Sequence, residues 1–162
     1  MSVAVRLKCP ILHVDDDADD LFFFQHAATR TDTPFQIQQF FFGDLAIAYL
    51  KQQTPYDNLA VYPPPVLVLC DHHPRSTKGH DLVGAIRSLG PFARLPIIMF
   101  SGSDRPDSVA RCYAAGADNY LRKPLDSARL DIIVQTLYAC VMSTPLSFDA
   151  LTRLDEYQPR PL

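Results

Sequence analysis

The chain has 162 residues, of which 48% are hydrophobic and 20% charged, and its formal net charge is −3 at pH 7. This length supports one well-packed core but is short for two full domains, so we expect a single domain. Basic residues are scattered along the chain, which argues against nucleic acid as a partner. No apolar segment is long enough to span a bilayer and no signal peptide is evident, so we expect a cytoplasmic protein with no membrane partner.

Strand and helix patterns alternate along the chain, which is typical of βα units around a parallel sheet. The first strand is predicted at residues 10–14, followed by a helix from Asp17 to about Arg30 whose acidic first turn suits the helix dipole. A strand near residues 35–42 then precedes a helix from Leu45 to about Gln53. The segment 54–65 contains four of the 14 prolines and is predicted to be a loop.

The second half of the chain continues this alternation. The apolar run 66–70 predicts a central strand. Beyond it the pattern predicts a helix near 80–89, a strand at 96–100, a helix near 106–115, a strand at 118–122 and a helix near 127–142. Residues 1–142 thus form one α/β domain with five strands and five helices. The four cysteines form no CxxC pair and are interpreted as reduced core thiols.

Residues 143–162 form a C-terminal extension. Within it, Ser147 is predicted to cap a short helix that carries Phe148, Leu151 and Leu154 on one side, and two later prolines end any regular structure. Two interpretations stay open for this apolar side. It packs on its own domain, or it binds a second subunit or another partner.

Polar side chains follow four of the predicted strands directly. They are Asp15 and Asp16 after the first strand, Asp71 after the central one, and Ser101 and Lys123 after the last two. The carboxyl ends of parallel strands meet at one edge of a sheet, where open α/β folds bind their ligands. We therefore expect these five side chains to converge on one pocket.

Three carboxylates in one pocket are unfavourable unless a cation neutralises them or one of them stays protonated. A divalent hard cation is the natural solution, and Mg²⁺ prefers such oxygen ligands while leaving room for a phosphate. Lys123 would supply a positive charge and Ser101 a hydroxyl for the oxygens of that anion. A phosphoryl group held in this way could be transferred to the carboxylate in the middle of the sheet, Asp71.

At this point the chain resembles the receiver domain of two-component response regulators. The resemblance covers roughly residues 9–142. It is carried by the acidic pair Asp15-Asp16, the central Asp71, Ser101 before Gly102, and Lys123-Pro124 with Tyr120 three positions earlier. It implies a flavodoxin-like (βα)5 three-layer sandwich with a parallel sheet in the order 2-1-3-4-5.

The resemblance also implies a role for each matching residue. Asp71 would be the phosphoacceptor, and Mg²⁺ would be held by Asp15, Asp16, Asp71 and the backbone carbonyl of His73. Phosphate binding and switching would fall to Ser101, Lys123 and Tyr120, with the Lys123-Pro124 bond cis. Such a protein catalyses only its own phosphorylation and dephosphorylation, so we do not expect an enzyme in the usual sense.

Three short segments narrow the resemblance further. Residues 51–56, Ser103-Asp104 and 117–120 are similar to the small regulators paired with bacterial phytochromes and other hybrid sensor kinases. The extension is too short to fold alone as an output module, so we expect a single-domain regulator that signals through contacts. Its expected partners are a sensor histidine kinase, a phosphotransfer protein or a second copy of itself as a homodimer.

The loop after Asp71 departs from the family pattern. Receivers place a proline four residues and a glycine eight residues after the acceptor. Here Gly79 is eight residues after Asp71, but Pro74 is only three after it. Counting back from the proline would put Cys70 in the acceptor position. We favour Asp71, because a neutral thiol is a poor partner for a hard metal. The alternative is a pseudo-receiver that acts as a phosphate-independent interaction module.

Two further expectations concern the start of the domain. A magnesium-dependent phosphatase of the haloacid dehalogenase type would use Asp15 and Asp17, but it would leave Asp71 unexplained and stays a minor alternative. In the run Phe22-Phe23-Phe24 three consecutive aromatics on a helix cannot all face inward, so one should be exposed. In the family, the first helix is where a kinase phosphotransfer domain docks.

Overall fold

The structure is a computed structural model that describes residues 9–75 and 77–161. The first eight residues of the predicted domain lie outside the described residues. Within these ranges, none of the helices is long and apolar enough to cross a membrane.

Five short strands form one parallel sheet in the order β2-β1-β3-β4-β5. Their bounds are Ile11–Val14 for β1, Ile37–Phe40 for β2, Leu67–Cys70 for β3, Ile97–Ser101 for β4 and Asn119–Arg122 for β5. The central strands β1, β3 and β4 are buried along their whole length, which explains their nearly continuous apolar sequences. The predicted strand order is confirmed.

Five α-helices connect and cover the strands. Their bounds are Ala18–Arg30 for α1, Gly43–Leu50 for α2, Gly79–Arg87 for α3, Pro106–Ala115 for α4 and Ser127–Met142 for α5. Helices α1 and α5 pack on one face of the sheet, and α2, α3 and α4 pack on the other. The predicted three-layer α/β sandwich is therefore confirmed.

Helix α2 differs most from its predicted bounds. It begins at Gly43 rather than Leu45 and ends at Leu50 rather than Gln53. The helix ends early because Gln52 adopts a left-handed conformation with φ of 54°, which is incompatible with a continuing right-handed helix. A Cβ on Gly43 would lie 2.3 Å from Thr77 Cγ2, so this helix start lies against the loop that precedes α3.

The C-terminal extension packs on its own domain. A 3₁₀ helix spans Asp149–Arg153, and Ser147 Oγ accepts the Asp149 N–H over 3.2 Å. Leu151 is completely buried against the α1 and α5 side of the sheet. Of the two open interpretations, the structure shows the one in which the apolar side is used within the chain.

Regular pairing continues beyond this 3₁₀ helix, which the sequence analysis did not predict. Tyr157 forms an antiparallel bridge with Leu121 of β5. On either side, the Arg122 N–H donates to Glu156 O over 2.8 Å and the Gln158 N–H donates to Tyr120 O over 2.9 Å. The extension thus covers the open edge of β5, whose backbone groups would otherwise be unpaired.

Candidate acidic phosphoryl site

The predicted carboxylates meet at the carboxyl ends of β1 and β3. Val14 and Cys70 are register partners at the ends of these adjacent strands, so the residues that follow them lie side by side. Asp15, Asp16 and Asp71 can each offer an oxygen such that all three atoms lie within 4.8 Å of one another. Asp15 and Asp71 are buried, whereas Asp16 is partly exposed.

Lys123 brings the balancing positive charge into this cluster. Its Nζ lies 2.7 Å from Asp15 Oδ2 and 3.1 Å from Asp71 Oδ1, and its side chain is only 14% exposed. The lysine follows β5, and its N–H donates to Ser101 O at the end of β4 over 2.9 Å. The polar residues that follow β1, β3 and β5 are thus in contact, as predicted.

The pKa values at the site follow from burial and from this charge. Burial raises the pKa of Asp15 to about 6, although Lys123 opposes the shift. Burial also acts on Asp71, but the charge of Lys123 and the His73 N–H, which donates to Asp71 Oδ2 over 2.7 Å, together hold its pKa below the ordinary value. Burial disfavours the charged form of Lys123, yet the two carboxylates raise its pKa further, so it stays protonated. Asp71 is therefore an ionised carboxylate paired with the protonated Lys123.

The loop after β3 accommodates the early proline without shifting Asp71 out of the cluster. Cys70 is completely buried in the core between the sheet and helices α2, α3 and α4. Gly79 N–H donates to His72 O over 2.8 Å, and a Cβ on Gly79 would lie 2.4 Å from Asp71 O. Only glycine allows this close approach. The glycine spacing, rather than the proline spacing, thus identifies the residue that faces the acidic cluster.

The donor set fits a hard divalent cation. The cluster offers only carboxylate oxygens, which are the ligands that Mg²⁺ and Mn²⁺ prefer in proteins. Asp16 is partly exposed, so the position is open to water and to an incoming phosphate. The His73 carbonyl stays a predicted further ligand.

A family model described as the response regulator receiver domain matches residues 11–135, which is most of the chain. The chain belongs to the response regulator receiver family.

Receivers that work with phytochromes are among its relatives. The response regulator Rcp1 of Synechocystis is 25% identical over 134 residues, covering 83% of this chain and 89% of that protein. The crystal structure of the phosphorylated cyanobacterial phytochrome response regulator RcpA matches with 26% identity and a TM-score of 0.75, covering 84% of this chain and 95% of that one. A Mn²⁺-bound form of Rcp1, at 24% identity and TM-score 0.72, shares the fold.

A plant relative matches over a shorter stretch. The two-component response regulator ORR1 of Oryza sativa subsp. indica is 33% identical over 84 residues, which are 52% of this chain. The chain covers 35% of the length of that protein.

The two predicted switch residues of this receiver lie on the last two strands. Ser101 is buried at the end of β4. Its Oγ accepts a hydrogen bond from the Ser103 N–H over 3.4 Å. Tyr120 of β5 is completely buried, and its hydroxyl donates to Ser103 O over 2.6 Å. The aromatic ring therefore already occupies an inward position, and it is connected to the loop that follows Ser101.

One predicted feature of the receiver is wrong. The cis peptide bonds in the described ranges are Thr54-Pro55 and Thr144-Pro145, so Lys123-Pro124 is trans. Trans is the favoured isomer of an X–Pro bond. From this trans backbone the Lys123 side chain reaches both Asp15 and Asp71, so the contacts expected of the lysine do not require the cis form.

The sequence analysis missed two residues at the site. Asp20 on α1 pairs with Lys123 at 2.7 Å, although it was interpreted only as part of an acidic helix start. His13 of β1 is completely buried, with Nε2 3.7 Å from Asp15 Oδ2. Burial, followed by the charge of Lys123, lowers the pKa of His13 to about 3, so its ring is neutral. A polar residue inside an otherwise apolar strand was the signal available for His13.

Helix α1 borders the site with exposed aromatic rings. Phe24 is buried, but both Phe22 and Phe23 are exposed, at 62% and 53%, where a single exposed ring among the three was predicted. An α-helix turns by about 100° per residue, so three consecutive side chains cover more than half of its circumference. A cavity of about 270 Å³ separates Phe23 from Leu125 in the loop before α5.

Proposed function

We propose that this receiver is a single-domain response regulator that accepts a phosphoryl group on Asp71 from a histidine kinase or a phosphotransfer protein, in the cytoplasm and with Mg²⁺. The observation that carries this proposal is the contact of Lys123 with both Asp71 and Asp15 inside a cluster of three acidic residues. An ionised carboxylate beside a fixed ammonium group and a hard-cation site suits acyl phosphate chemistry.

The transfer itself needs few protein groups. An oxygen of Asp71 attacks the phosphorus of the donor, the bond from phosphorus to the donor's histidine nitrogen breaks, and the imidazole leaves. Lys123 then pairs with a phosphoryl oxygen, and Ser101 donates its hydroxyl to another. A divalent cation held by Asp15, Asp16 and Asp71, with the His73 carbonyl, would neutralise the charge that accumulates on the phosphoryl oxygens. In this proposal the protein catalyses only its own phosphorylation and dephosphorylation.

Signalling would follow from a local change at Ser101. Drawing the Ser101 hydroxyl toward the phosphate disturbs the loop whose Ser103 carbonyl accepts the Tyr120 hydroxyl. Tyr120 is also joined through its carbonyl to Gln158 of the extension. The phosphate would thus bias the surface formed by β5, its neighbouring helices and the extension.

The exposed rings of α1 support docking of the phosphodonor beside Asp71. Phe23 and the fully exposed Leu125 line the same pocket as Lys123, and Phe22 is exposed on the same helix as Phe23. Exposed apolar groups next to a reactive centre are typical of protein contact surfaces. The expected partner is the phosphotransfer domain of a histidine kinase or a free phosphotransfer protein.

The test is incubation with Mg²⁺ and acetyl phosphate followed by intact-mass measurement. We expect the wild-type protein to gain one phosphoryl group in an acid-labile form, and the Asp71→Asn variant to gain none. A Cys70→Ser variant serves as the matched control and should be phosphorylated like the wild type. An unmodified wild-type protein would refute phosphorylation, whereas an adduct on the Asn variant would refute the assignment to Asp71.

The second candidate is a phosphate-independent interaction module on the same fold. It is favoured by one observation, the position of Pro74, which lies three residues after Asp71 rather than four. The acetyl phosphate experiment separates the two candidates. A correctly folded interaction module would gain no phosphoryl group, whereas a response regulator would gain one.

A further inference from the structure

His13 is a polar residue in the interior of β1, inside an apolar layer. Its ring lies 4.8 Å from the ring of Phe24 on α1 in an edge-to-face arrangement and 6.3 Å from that of Phe100 on β4. Its neighbour on the same face of the strand, Ile11, belongs to the same apolar layer. Packing alone would be satisfied by an apolar or aromatic side chain at this position.

The ring of His13 has no hydrogen-bond partner at either nitrogen in the part of the chain that the structure describes. Buried polar groups are nearly always paired, so an unpaired imidazole with 0% exposure requires an explanation. Asp15 lies two residues further along the chain, on the same face as His13, and its Oδ2 is 3.7 Å from His13 Nε2. Moving these atoms about 0.7 Å closer would give a normal N–H···O hydrogen bond.

We propose that His13 is a positioning residue for the divalent cation: its neutral ring donates the Nε2–H to Asp15 Oδ2 and holds this carboxylate in the orientation that ligates the cation. The inference rests on the cation site of the proposed function. Asp15 Oδ1 already accepts the Asp17 N–H over 3.0 Å. Asp15 Oδ2 already lies 2.7 Å from Lys123 Nζ, and the His13 Nε2–H would add a second donor to this oxygen from a rigid strand. When a residue that holds a metal ligand by such a hydrogen bond is removed, the affinity of the site for the metal typically falls by roughly 10–100-fold.

Two variants separate this role from simple packing. His13→Phe keeps an aromatic ring against Phe24 and Phe100 but removes the donor. His13→Gln keeps an N–H close to the position of Nε2. The binding probe is Mn²⁺ alone, followed by electron paramagnetic resonance, because the chain has no tryptophan for intrinsic fluorescence.

We expect the Phe variant to bind Mn²⁺ roughly 10–100-fold more weakly than the wild type. We expect the Gln variant to regain most of that affinity, and the thermal stability of the Phe variant without metal to be unchanged or higher. Equal Mn²⁺ affinity of the wild type and the Phe variant would overturn the role of His13 while leaving the cation site intact. No Mn²⁺ binding by the wild type would overturn the cation site, and the role of His13 with it.

A measurement on the wild-type protein decides the question even where a variant does not fold. Nitrogen-15 NMR of the imidazole rings reports which nitrogen of His13 carries the proton. We expect the Nε2–H tautomer, with its proton resonance moving downfield as Mg²⁺ saturates the site. An Nδ1–H tautomer, or an Nε2–H resonance that does not respond to bound Mg²⁺, would refute the proposal.

Discussion

Lys123 is the residue on which the charges of the site depend. In the structure its Nζ contacts Asp15, Asp71 and Asp20, three carboxylates from three different segments. The side chain is mostly buried, so these contacts are poorly screened by water. In the proposed function the same ammonium group pairs with an incoming phosphate, so phosphorylation would exchange carboxylate contacts for phosphoryl contacts.

Gly79 determines the path of the loop that follows Asp71. A side chain at this position would meet the Asp71 carbonyl at 2.4 Å and the His72 Cα at 3.0 Å, both of them backbone atoms that cannot turn aside. The family spacing of eight residues thus has a physical reason in this chain.

Gly79→Ala should therefore destabilise the protein by about 1–3 kcal/mol, because the backbone must shift to admit the methyl group. It should also slow phosphorylation by acetyl phosphate, since Asp71 shifts with its carbonyl. The control is Gly84→Ala in the same helix, where no atom lies within 4 Å of the added Cβ. That change should stabilise the helix by about 0.5–1 kcal/mol. Urea unfolding measures both, and similar stabilities for the two variants would contradict the argument.

Helix α1 illustrates what one element contributes. Its apolar residues exceed what one face can bury, so the helix divides them between the core and the surface. Phe24 packs against the rings of His13 and Phe100, whereas Phe22 stacks on His26 at the surface. Phenylalanine therefore packs in the core at position 24 and forms part of the exposed surface at position 22.

Phe24→Ala should lower the free energy of unfolding by about 3–5 kcal/mol, because it leaves a cavity in the core. The matched change Phe22→Ala should alter stability by no more than about 0.5 kcal/mol. Chemical denaturation of the two variants measures the difference. A large loss of stability in the Phe22 variant would show that this ring is not free at the surface.

The extension acts at the scale of the whole molecule. Glu156 joins it to α5, because the Arg129 guanidinium donates to both of its carboxylate oxygens over 2.8 Å. Glu156 also lies in the segment that pairs with β5. The edge of the sheet, the last helix and the end of the chain are thereby connected, next to the strand that carries Tyr120.

This ion pair predicts a pH dependence of stability. Its hydrogen bonds from Arg129 lower the pKa of Glu156 below its ordinary value of 4.5. The ionised carboxylate therefore stabilises the folded state above about pH 4.5, and this contribution is lost as the pH falls through the lower folded-state pKa. At pH 7, Glu156→Gln should lower the melting temperature by about 2–4 °C, and the difference from wild type should vanish at acidic pH.

Asp155→Asn is the matched control for this prediction. Asp155 also contacts Arg129, at 3.0 Å, but its side chain is 86% exposed and the contact is screened by water. Its removal should leave the melting temperature nearly unchanged across the pH range. A constant difference between the wild type and the Glu156 variant at every pH would contradict the role of the ion pair.

Two features could be predicted from the sequence alone: the alternation of strands and helices, and the meeting of Asp15, Asp71 and Lys123. Both follow from local rules, since periodicity identifies each element and parallel strands bring their carboxyl ends to one edge. The spacing of Gly79 from Asp71 could be recognised in the same way, because the close approach of the Asp71 carbonyl requires a glycine there. The spacing of Pro74 pointed to Cys70 instead, but the loop accommodates the early proline while the glycine contact is kept.

Which side chains form ion pairs, and which edge of the sheet the extension covers, depends on how remote segments pack together. Asp20 and Lys123 are 103 residues apart, and nothing in either segment indicates the pair. The pairing of residues 156–158 with β5 and the contacts of the His13 ring with Phe24 and Phe100 likewise depend on the packing of remote segments. Periodicity reports which face of an element is buried, but the partner that a polar group finds there depends on how all the elements pack together.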